Sequence, residues 1–121
     1  MSRQSKATRL KRRKIHIRKK VSGTPERPRV TIFRSLKHIY IQAIDDTNGL
    51  TIAFAGTLND SLVNDLKSNS DSSVNIAVGK ALAQRLNEKS ITNAVFDRNG
   101  YLYHGRVKSV VDGIREGGIQ V

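Results

Sequence analysis

At 121 residues and 13.5 kDa the chain has the length of one domain, and with no cysteine it excludes a disulfide framework and a thiolate metal site. The formal net charge is +12 with a pI near 10.6, unevenly spread: residues 1–40 carry fourteen Lys or Arg against the single acid Glu26 (+13), and residues 41–121 carry eight bases against nine acids (−1). A near-neutral body with a polycationic arm calls for a polyanionic partner.

No apolar run reaches the roughly 18 residues of a spanning helix, and no apolar core follows the N-terminal cations, so neither a membrane span nor a secretory signal is expected. The Arg and Ser bias of Met1 to Lys20 is shared by mitochondrial transit peptides, against which stand its dense cations and thin apolar face. Residues 1–29 hold twelve basic residues and, besides Met1, only Leu10, Ile15, Ile17 and Val21 as large apolar ones. Such a segment buries too little to offset its ordering entropy and is predicted to be disordered when free. With no Pro or Gly before Gly23, a helix over 7–21 is open to it once phosphates screen its repulsion. Lys11-Arg12-Arg13-Lys14 and Arg18-Lys19-Lys20 lack the neighbouring acids of a solvated helix, which favours nucleic acid.

Ser22 to Pro28, with two prolines and a glycine, reads as a hinge. It sets the predicted boundary between an arm, 1–29, and a globular domain, 30–121. Arg29 to Arg34 alternates as a strand, Ser35-Leu36-Lys37 as a turn, and His38 to Asp45 as a second strand with Tyr40 and Gln42 on one face. Asp46-Thr47-Asn48-Gly49 is a hairpin signal before a third strand, Leu50 to Ala55, completing an antiparallel meander. Leu58, Leu62 and Leu66 allow a short helix that Asp60 helps to cap, and 68–73 reads as a polar linker. A helix follows over Val74 to Lys89, with Val74, Ala77, Val78, Ala81, Leu82 and Leu86 as its buried stripe and Ser72 or Ser73 as N-cap.

Asn93 to Asp97 is a fourth strand, reached by a crossover that makes the sheet mixed. It breaks at Asn99-Gly100, two residues that tolerate positive φ, and a second amphipathic helix begins near Gly105, marked by Val107, Val110, Val111 and Ile114 and ended by Gly117-Gly118. Ile119-Gln120-Val121 can add a fifth strand. The predicted fold is therefore α/β, with a mixed four- to five-stranded sheet packed by two amphipathic helices. The loop from Phe96 to Lys108 should present polar and aromatic groups at the sheet edge. Tyr101, Tyr103 and His104 among Arg98, Arg106 and Lys108 combine stacking groups with phosphate-binding cations, the inventory of an RNA surface. If the segment is extended, Tyr101 and Tyr103 point the same way, both in or both out.

For enzymes the signals are thin. His16, His38 and His104 have no partners at metal-ligand spacing, and no phosphate-binding loop, GxGxxG or GxSxG elbow is present. A dispersed Ser-His-Asp set stays open. The sharper alternative is a metal-dependent RNA nuclease using Asp45 and Asp97, both at strand ends, although Asp opens turns routinely. A general nucleic-acid architectural role also fits the charge, since phosphate contacts carry no sequence information. The arm is too poor in large apolar residues for a membrane-surface helix.

The run Phe96-Asp97-Arg98-Asn99-Gly100-Tyr101-Leu102-Tyr103-His104-Gly105-Arg106-Val107-Lys108 closely resembles the signature of the bacterial-type 5S-rRNA-binding family of large-subunit ribosomal proteins, number eighteen in its series. Phe33-Arg34-Ser35, Lys37-His38-Ile39-Tyr40, the Gly23-Thr24 to Pro28-Arg29 hinge and the basic arm resemble it too. Many relatives have two glycines where this chain has Asn99-Gly100, and many end in an aromatic residue where this one has Val121. The resemblance implies a cytoplasmic ribosomal protein that binds 5S rRNA and helps attach it to the large-subunit rRNA in the central protuberance. It also implies neighbouring large-subunit proteins, including number five, as partners, with no catalysis, cofactor, metal or small-molecule substrate. On this reading the RNA contacts are Arg9, Lys11, Arg12, Arg13, Lys14, Arg18, Lys19 and Lys20 on the arm and Arg27 and Arg29 at the hinge. Arg34, Lys37 and His38 join them at the first hairpin, and Arg98, Tyr101, Tyr103, His104, Arg106 and Lys108 at the loop.

Overall fold

The computed structural model describes residues 22–35, 38–58, 60–66, 71–101 and 105–121. Within them β1 (Arg29–Arg34), β2 (Ile39–Asp45) and β3 (Leu50–Gly56) form the expected meander. After α1 (Ser61–Leu66) and α2 (Asp71–Glu88), the chain crosses to β4 (Val95–Asp97), which pairs parallel with β1, and ends in α3 (Arg106–Glu116). The sheet order is β3-β2-β1-β4, so the sheet is mixed and β4 is an edge.

The alternation predicted for β1 and β2 sets the layers. Val30, Ile32, Ile39, Ile41 and Ala43 are buried on one face, where they meet Ala77, Val78, Ala81, Leu82 and Leu86 of α2 and Val107, Val110 and Ile114 of α3. Burial of this kind contributes roughly 25 cal/mol per Å² of apolar surface. The two long helices cross almost backbone to backbone. A Cβ at Gly79 would stand 2.2 Å from the Val110 carbonyl oxygen, and one at Gly113 2.1 Å from that of Ile76. No side chain larger than hydrogen fits either place.

Several expectations are corrected. The 68–73 linker gives way to helix from Asp71 onward, so Ser72 and Ser73 fall inside the first turn of α2 rather than before it. Asp60 does cap α1, its Oδ1 accepting from the Val63 N–H at 3.4 Å, but the buried member is Val63, while Leu58 and Leu66 are exposed. α1 is thus the short helix allowed there, a third beside the two amphipathic ones. β4 is shorter than expected because Asn93 pairs instead with Gln120 in an isolated parallel bridge, which is all that forms of the fifth strand. α3 ends as predicted at the glycine pair, with the left-handed position taken by Gly118 (φ 92°).

The hinge is not a free spacer over its described length. The Gly23 N–H donates to Asp46 Oδ2 at 2.6 Å, and the Gly23 carbonyl accepts from the Asp46 N–H at 3.0 Å. Pro28 and Arg29 are buried. Hydrogen bonding to the β2–β3 hairpin therefore reaches back to Gly23 within the hinge.

Candidate nucleic-acid interface

The loop after β4 is built from the inside. Arg98 to Tyr101 forms a turn closed by the Tyr101 N–H on the Arg98 carbonyl at 2.9 Å, with Asn99 (φ 54°) and Gly100 (φ 82°) both left-handed, as the Asn-Gly pair predicts. Contrary to the expected display of polar groups at the edge, Asp97 and Asn99 are buried. Asp97 accepts the Asn99 N–H at 2.8 Å, and Asn99 Nδ2 donates to the Ile32 carbonyl at 3.0 Å, so the turn is pinned to β1.

Arg29 completes that anchor, and its assignment as an RNA contact is corrected. Its guanidinium donates to Asp46 at 2.9 and 3.0 Å and to Asp97 at 2.7 Å, and the residue is only 8% exposed. The hydrogen bonds to Asp46, and then those to Asp97, raise its pKa above the ordinary arginine value in spite of burial. One buried cation thereby joins the arm's base, the β2–β3 hairpin and the loop. The paired carboxylates needed by a nuclease are spent elsewhere. Asp97 is taken by Arg29, and Asp45 accepts from Thr47 and Asn48 in the hairpin, with the Thr47 hydroxyl chiefly holding its pKa below the usual value. Among the described residues no group of three His, Asp or Glu side chains comes together as a metal site.

The remaining predicted contacts divide. Arg9, Lys11, Arg12, Arg13, Lys14, Arg18, Lys19, Lys20, Lys37, Tyr103 and His104 lie outside the described residues. Arg27 is exposed beside the hinge and Arg98 is half-buried at the turn. Arg106 and Lys108 are exposed on the first turn of α3, which carries no acid there, so two cations stand at the positive end of a helix dipole. That arrangement is unfavourable for the isolated helix and suits an anion placed against it. Lys108 is joined to Asp112 at 3.3 Å across one turn.

Arg34, His38 and Tyr101 are brought together. They line one concavity of about 880 Å³ at the end of the sheet. The Arg34 guanidinium lies 5.1 Å over the half-buried Tyr101 ring. His38 is half-buried, its Nδ1 hydrogen-bonded to Thr57 Oγ1 at 3.1 Å. The sequence reading missed the other walls. Phe33 and Tyr40 are register partners whose rings stack at 5.0 Å and 15°, and Phe54 lies opposite Gln42 in the next row. Tyr40 is 44% and Phe54 62% exposed. The available signal was period-two parity, because Ala53 and Ala55 facing the core turn Phe54 outward.

The described residues form a small α/β body carrying an open aromatic face edged with arginine, and a strongly basic stretch precedes them in the sequence. Residues 4–121 match the family model of ribosomal L18 of archaea, bacteria, mitochondria and chloroplasts. The large ribosomal subunit protein uL18 of Chloroherpeton thalassium is 51% identical over 99% of both chains. That of Desulfosudis oleivorans is 52% identical over 89% of each. The uL18c protein of Oryza sativa subsp. japonica is 49% identical over 88% of this chain and 64% of its own. The chain belongs to the ribosomal L18 family. Its role is structural, as a constituent of the large ribosomal subunit, and it is not an enzyme.

Proposed function

We propose that the chain binds 5S rRNA and helps attach it to the large-subunit rRNA in the central protuberance, beside large-subunit protein number five. The observation that carries this reading is the charge division in a ribosomal protein: net +13 in residues 1–40 against −1 in the rest. A polycation contacting phosphates supplies affinity without sequence information, so choice of target must come from the body. There the supporting features are the pinned turn at Asn99-Gly100, Arg106 and Lys108 at the start of α3, and the cleft of Arg34, His38 and Tyr101.

The test is footprinting of 5S rRNA by the purified full chain, with transfer RNA as a folded control. Protection confined to particular 5S nucleotides is the expected result. Equal affinity for both RNAs, with no localised protection, overturns it.

A further inference from the structure

The geometry points to the cleft at the end of the sheet as a stacking site for unpaired nucleobases, taking an rRNA loop or bulge rather than a duplex or a protein. The inference rests on the RNA reading above and adds the place and the chemistry. Phe33 and Tyr40 already form a short stack, and Tyr40 keeps 44% of its surface open. Phe54, on the same face, is 62% open. An aromatic face left in water in this way is the platform on which single-stranded bases stack, and stacking is available only to bases not already covered by neighbours in a helix.

Charge argues for nucleic acid over an apolar protein segment. At one end of the aromatic patch the Arg34 guanidinium lies 5.1 Å from the Tyr101 ring, a cation placed where a phosphate flanking a stacked base would run; at the other end Arg85, 5.9 Å from the Phe54 ring, is held by an acid. Among the described residues Asp60 is the one acid lining the cleft, and it is paired. It accepts from both terminal nitrogens of Arg85 at 2.8 Å, which leaves little negative field to repel a phosphate. The volume of about 880 Å³ lies within the range of pockets that take small ligands.

The experiment uses the full chain with Phe54→Ala, Phe54→Leu, Tyr40→Ala and Tyr40→Phe, all at exposed positions, with melting curves to check folding. Affinity for 5S rRNA is measured across a salt series, together with binding to neighbouring large-subunit proteins. Both alanine variants and Phe54→Leu should weaken RNA binding roughly 5- to 100-fold. Tyr40→Phe should bind as wild type, and the salt slope should stay the same because no phosphate contact is lost. Wild-type RNA affinity in the alanine variants overturns the inference, and if protein binding falls instead, the cleft is a protein seat. Failure of the RNA reading looks different: the parent chain then binds 5S and transfer RNA equally. In that event the cleft stands as a general base-stacking site if the alanine variants weaken both RNAs, and falls if they weaken neither.

Discussion

Arg29 shows how little a residue's type says about its job. In sequence it is one of twelve cations in the first twenty-nine residues; in the fold its partners lie 17 and 68 positions away, and both are carboxylates. Charge counting registers the cation and not the acids that long-range pairing brings to it. Removing one member of a buried ion pair costs roughly 3–5 kcal/mol, and here it would take the counter-charge from Asp97, whose side chain is 1% exposed. Arg29→Ala should therefore lower unfolding free energy in urea by about that amount. Arg27→Ala, at an exposed neighbour, should stay within about 0.5 kcal/mol of wild type. If the two variants lose equal stability, the anchor described for Arg29 is wrong. Where the chemistry of a residue is local, the sequence was enough: Asn99 and Gly100 adopt the positive φ their types favour, and Asp60 caps the helix beginning one residue later.

Among elements, the Asp60–Arg85 pair ties the end of β3 and the start of α1 to α2. Arg85 also donates to the Phe54 carbonyl at 2.7 Å, and Asp60 Oδ2 accepts the Gly56 N–H at 3.2 Å. The hydrogen bonds from Arg85, and then those from the backbone, hold the Asp60 carboxyl down at about 2, against an ordinary 3.8. A carboxyl depressed by folding stabilises fully above its unfolded pKa and loses that contribution as pH falls through the folded one. The linkage is worth about 2 kcal/mol, since the Asp60 side chain is 7% exposed and weakly screened. Stability measured by urea titration should fall by about that much between pH 5 and pH 2 on account of this carboxyl. Asp60→Asn should lack that component of the acid loss and be less stable by about 2 kcal/mol at neutral pH. An acid profile unchanged by Asp60→Asn counts against the pairing. Of the helices that meet here, α2 was readable from its apolar stripe, whereas in α1 the buried residue is Val63 rather than Leu58 or Leu66. The boundaries that slipped, at 68–73 and 119–121, are those where polar residues carry no periodicity and pairing with a distant segment decides the outcome.

For the molecule as a whole, two surfaces are expected to divide the work. If the arm meets about six phosphates, log affinity should fall with log salt at a slope of roughly −4 to −5. Deleting residues 1–20, which leaves Gly23 and its hydrogen bonds to Asp46 in place, should flatten that slope sharply. An unchanged slope would remove the arm from the account. The arm's charge was plain from composition alone. The aromatic face was not, because it is assembled from three strands and the turn after a fourth, and each contributes one ring that looks ordinary in its own stretch of sequence.

The crossing at Gly79 and Gly113 bears on the charged end of α3. With two helix backbones this close at Val110 to Ile114, the middle of α3 is fixed against α2, and Arg106 and Lys108 stand on the turn that leads into that contact. A side chain in place of either hydrogen would force the two helices apart, and with them the buried valines of α3 on which that charged end is mounted.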